Sequence, residues 1–123
     1  MDMPVAGAED LAATCAELTA VNARLFATEH TEAAFHVLAA AIHCAADLGD
    51  APTLRHLEQI AAEQQRFVGQ RARQVLPHEA TPGATQALPW VSMERIYASV
   101  ARQASVRAST IELQQRHGRV LGS

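Results

Sequence analysis

Apolar residues recur every three or four positions along the length of this chain. Leu11, Cys15, Leu18, Asn22 and Leu25 follow one another at steps of four, three, four and three, the return period of one face of an α-helix. A half-buried strand would alternate instead. The fold class is therefore all-α. The polar member of the stripe, Asn22, is expected either buried with a partner or at the rim of the face, and an asparagine at such a position more often sets register than binds a ligand.

The same reasoning divides the chain into four helices at about residues 9–27, 32–48, 51–75 and 90–117. The second carries Phe35, Leu38, Ala41, Ile42, Ala45 and Leu48 on one arc and ends at Gly49, a residue suited to the left-handed position after a helix. Thr28 or Thr31 is placed to cap its start. The third begins at Ala51-Pro52, where a missing amide costs nothing, and continues through Leu54, Leu57, Ala61, Phe67, Val68 and Val75. The fourth begins near Trp90 or Ser92, follows Met93, Tyr97, Val100, Ala104, Ala108 and Ile111, and stops at Gly118. Its narrow alanine-rich stripe would pack on the first helix or form the seam of a dimer. Residues 77–89 hold three prolines and one glycine and read as a long loop, disordered or crossing over. Short links make antiparallel neighbours. Residues 1–123 are thus expected as a single domain, an antiparallel four-helix bundle made of two helical hairpins.

Of 60 hydrophobic residues 26 are alanine, so 34 larger apolar side chains must supply the core. No apolar run approaches the ~18 residues of a membrane helix. Met1-Asp2-Met3 followed by Glu9-Asp10 lacks the basic region of a secretory signal, so a cytosolic location is expected. Lysine is absent and alanine abundant, the bias of a high-GC bacterial genome. Residues 1–54 carry a formal charge of −7 and residues 55–123 a charge of +4, so the halves should attract, either within one chain or head-to-tail between subunits. Cys15 and Cys44 lie outside any CxxC spacing and read as structural thiols.

Chemistry-bearing patterns are few. Glu32, His36, His43 and Asp47 share one polar strip of the second helix, since steps of four, seven and four return to nearly the same angle. His36 and His43 are roughly 10 Å apart along such a helix, so one helix offers a Glu32–His36 pair or a His43–Asp47 pair, and other elements must complete a metal or small-ligand site. Solvated acid–histidine pairs are the plainer reading, and no cofactor is implied. Arg66 and Arg73, and Arg95 and Arg102, repeat at seven residues and line up positive charge. Glu63, Glu94 and Glu112 interrupt those faces, and Trp90 and Tyr97 do not alternate with the arginines, which argues against nucleic acid. Ala45-x-x-x-Gly49 has helix-turn-helix spacing, but Arg55 stands at the wedge position. Ser92, Ser99, Ser105 and Ser109 lie in a helical segment without a nucleophile elbow. A non-catalytic protein-interaction, adaptor or regulatory module is expected, homo-oligomeric, with Trp90, Met93 and Tyr97 as contact residues or, more simply, as core.

From Leu18 to Ala41 the chain resembles a tetratricopeptide hairpin, with Leu18, Val21, Asn22 and Leu25 in the first helix and Ala34, Leu38 and Ala41 in the second. Ala45-Ala46-Asp47-Leu48-Gly49-Asp50 resembles the turns between such repeats. The resemblance covers about a quarter of the chain. It implies a helical array that binds a protein or peptide in its groove. Asn22 and Glu29 stand where that repeat has small residues or glycine, the helix-ending proline is missing, and no second unit follows clearly.

Overall fold

A computed structural model describes residues 3–75 and 87–122. They form α1 (Met3–Ala27), α2 (Thr31–Leu48), α3 (Ala51–Val75) and α4 (Ala87–Gly122), with no strand among the described residues. Side-chain pairings give the topology. Cys15 meets Ala41 and Asn22 meets Ala34, so α1 and α2 are antiparallel. Asn22 also meets Gln64, and Glu29 meets Arg71, so α3 runs with α1. Arg55 meets Glu112, and Arg71 lies over Trp90, so α4 returns along α3. Tyr97 reaches Thr31 and Gln115 reaches Gly49, which sets α4 parallel to α2. The result is an up-down-up-down four-helix bundle, packed most closely within the hairpins α1–α2 and α3–α4.

One continuous core joins both hairpins: Cys15 of α1; Leu38, Ala41, Ile42 and Ala45 of α2; Leu54, Leu57, Ala61 and Val68 of α3; Tyr97, Val100, Ala104 and Ala108 of α4. Alanine lets the axes approach, while leucine, isoleucine and tyrosine fill the space between hairpins. The alanine stripe of α4 is consumed here, packed inside the bundle with α4 lying along α3, and it is neither a seam for a second molecule nor a face laid on α1. Gly69, buried on α3, lies against the Glu94 side chain of α4 at a point where any β-carbon would collide with that carboxylate.

The two short connections share one backbone solution. After α2, Gly49 adopts φ 66° and its amide and that of Asp50 bond back to the Ala46 and Ala45 carbonyls. After α1, Glu29 adopts the same φ of 66°, and the amides of Glu29 and His30 bond to the Phe26 and Leu25 carbonyls. Both are Schellman closures, but at Glu29 a side chain occupies the left-handed position that glycine fills without strain. Asp50 then caps α3, accepting from the Thr53 amide at 3.1 Å and the Thr53 hydroxyl at 2.6 Å.

Several boundaries differ from those the sequence implied. α1 begins at Met3, ahead of the apolar stripe that the sequence places from Leu11 onward. α4 begins at Ala87, with Pro89 tolerated in its first turn, and runs through Gly118 to Gly122. Neither Thr28 nor Thr31 caps α2: His30 holds the cap position with no side-chain bond to the helix amides, Thr31 is already helical, and the Thr28 hydroxyl meets α1 carbonyls and the His30 ring. Of the predicted loop 77–89, residues 87–89 are helical and the remainder lies outside the described residues.

Candidate functional site

Interior polar contacts are structural. Asn22, 1% exposed, donates to the Ala34 carbonyl at 2.7 Å and exchanges amide hydrogen bonds with Gln64, at 2.7 Å and 3.3 Å. One side chain thereby ties α1 to α2 and α3, the buried, partnered alternative for this residue. Cys15 is buried with its thiol directed to the Ala41 carbonyl; burial first, then the nearby Cys44 and Asp50, push the thiol pKa up. Cys44 is half-buried, and both cysteines are free thiols. Arg55 bridges α3 and α4, bonding Glu112 through two nitrogens at 2.8 Å and 3.2 Å, Glu58 at 3.0 Å and the Ser109 hydroxyl at 3.0 Å. Those bonds raise the Arg55 pKa, and the Arg55 hydrogen bond holds the Glu112 carboxyl below its ordinary range. Ser105 and Ser109 thus serve an arginine instead of facing a general base.

Glu32, His36, His43 and Asp47 are all exposed along the outer side of α2. Among the described residues no three histidine, cysteine or carboxylate side chains come together as metal ligands would, so no other helix completes that strip. Arg66, Arg73, Arg95 and Arg102 are likewise exposed, the latter pair along the outer side of α4. Among the described residues no helix is long and apolar enough to cross a membrane.

The aromatic group expected at the start of the fourth helix divides in two. Tyr97 is fully buried, and its hydroxyl donates to the Thr31 carbonyl at 2.7 Å, with burial raising its pKa; as core it cannot serve as a contact residue. Its place on the same stripe as Val100 and Ala104 is the reason. Met93 and Trp90, one and two turns nearer the helix start, are half-buried at the edge of the core. With Thr31, Glu32 and Pro89 they line an open groove of about 470 Å³.

Two further residues belong to this end of the bundle. Phe67, expected in the core, is 39% exposed, because Leu54, Ala61 and Val68 hold the inward positions seven apart and its neighbour Val68 takes the interior. The Phe67 ring meets Phe26 edge-on at 5.2 Å. Arg71, one turn on, places its guanidinium 5.4 Å from the Phe67 ring centre and 5.8 Å from that of Trp90, and bonds Glu29 at 3.0 Å. The spacing of Phe67 and Arg71 at i and i+4 was available in the sequence, but their meeting with Trp90 across the hairpin was not.

No protein-family model matches the chain, and comparison with curated proteins and with solved structures gives no match.

Proposed function

We propose that this chain is a non-catalytic protein-interaction module whose contact surface is the end of the bundle around Trp90, Met93, Phe67 and Arg71. The observation that carries this reading is the stack of Arg71 on two aromatic rings beside an open groove. Aromatic and arginine side chains of this kind supply most of the binding energy at protein interfaces. Trp90 and Met93 give an apolar floor with Glu32 at its margin, and the Arg71 guanidinium lies over the Trp90 ring. The tetratricopeptide resemblance of α1–α2 points to the same class of partner, a protein or peptide segment.

The test uses Trp90, the sole tryptophan, as its own reporter. A photo-crosslinking amino acid at Met93 of the full chain is expected to capture a defined partner from native extract, and that partner added back should shift Trp90 emission. Phe67→Ser/Arg71→Ser, at exposed and half-exposed positions, should abolish capture with helicity unchanged. Equal capture by the wild type and this variant would sink the proposal.

A further inference from the structure

We infer that a second copy of this chain docks on the outer face of α4, pairing it with the acidic α1–α2 hairpin of its partner. This surface is separate from the Trp90 groove, and the inference deepens the interaction-module reading by naming one partner.

Among the described residues three large hydrophobic side chains are exposed, and two of them, Val106 at 59% and Leu113 at 61%, lie seven residues apart on α4. Seven residues are two helical turns, so both side chains rise from the same outward line, opposite the buried Tyr97, Ala104 and Ala108. Arg95, Arg102 and Arg116 flank that line. From Arg95 to Arg119 the sole carboxylate of α4 is Glu112, and Arg55 engages it. The face is therefore cationic with an apolar spine.

The chain itself supplies the complement. Away from the groove, the exposed charges on the outer side of α1 and α2 are Glu9, Asp10, Glu17 and Asp47 against Arg24. Ion pairs among the described residues leave them unused: Glu29–Arg71 joins the halves, whereas both Arg55 ion pairs stay within the basic half. The acidic side of α1 also presents exposed Ala13, Ala16, Ala20 and Ala23, at steps of three, four and three, leaving room for Val106 and Leu113 to seat.

In a twofold dimer each α4 meets the other copy's α1, so both contacts form together and association closes at two. A contact about 27 Å long on a helix about 10 Å wide covers roughly 300 Å². The reciprocal pair gives roughly 600 Å² per partner, at the lower bound for a specific interface. Two α4 faces could not pair with each other without opposing their arginines.

Charge reversal tests this directly. By sedimentation, the wild type should be a dimer that weakens with added salt, and Leu113→Glu should weaken it by about tenfold or more. Arg102→Glu/Arg116→Glu and Glu9→Lys/Glu17→Lys should each be monomeric, while an equimolar mixture of the two should dimerise, because both contacts are then repaired. A monomeric wild type, a Leu113→Glu protein of unchanged mass, or a mixture that stays monomeric would each overturn the inference. So would a monomer that binds anionic vesicles or duplex DNA through the α4 arginines. The Trp90 groove is untouched by these variants, so crosslinking at Met93 should persist whichever result is found.

Discussion

Replacing Asn22 by alanine tests whether the interior amide pair holds the hairpins together. The substitution removes the bond to the Ala34 carbonyl and both bonds exchanged with Gln64. At about 1 kcal/mol net for each, the loss is about 3 kcal/mol, and the Gln64 amide keeps partial access to water, which limits the further penalty. That is a large share of the roughly 5–15 kcal/mol by which domains are stable. With an unfolding entropy of about 2.1 cal/mol/K per residue, 123 residues give about 0.26 kcal/mol/K and a fall in Tm of about 12 °C. Gln64→Ala removes the amide exchange alone and should cost about 1–2 kcal/mol, since Asn22 keeps its carbonyl partner. The double variant then isolates the pair, with a coupling energy of about 1–2 kcal/mol expected from urea melts of all four proteins. A cost below about 1 kcal/mol for Asn22→Ala, or additive single costs, would refute the reasoning.

Glu29→Gly should stabilise the protein by about 0.5–1 kcal/mol, because relief of the left-handed strain outweighs an exposed ion pair to Arg71 and the added freedom of the unfolded chain; a lowered Tm contradicts this. Glu112→Gln should lower Tm at neutral pH. The Glu112 carboxyl is held below its ordinary value of 4.5 in the fold, so its contribution is complete above that value and disappears as pH falls through the lower, folded pKa. The gap in Tm between wild type and variant should accordingly close in acid, and a gap independent of pH would remove Arg55–Glu112 as its cause. Zinc or a chelator should leave Tm unchanged, since among the described residues the α2 strip finds no further ligand; a stoichiometric rise lost in His36→Ala would reverse that reading.

Helix class, number and hairpin pairing were legible from the three-four spacing because each helix buries a single face. Burial of Cys15, Leu38, Ile42, Leu54, Leu57 and Val100 follows directly from that pattern. Helix ends were less legible: Gly118 does not stop α4, since a glycine in a solvated helix costs only about 1 kcal/mol and breaks nothing by itself. Phe67 shows a different limit. Hydrophobicity alone put it inside, whereas its angular offset from Leu54, Ala61 and Val68 puts it at the surface. Three-way meetings such as Asn22–Ala34–Gln64 and Phe67–Arg71–Trp90 depend on how the hairpins pack across one another, which no single helix's periodicity encodes.

The unequal helix lengths also determine where this protein opens first. α4 has 36 residues against 25 in α3, and the Gln115 side chain reaching the Gly49 carbonyl marks where α4 passes the α2–α3 turn. Every residue from Leu113 to Arg119 is exposed, so none of this stretch of α4 is held by the core of its own chain. Hydrogen exchange there should proceed by fraying at little free-energy cost, while the amides around Ala34 and Leu38 exchange only when the whole bundle comes apart.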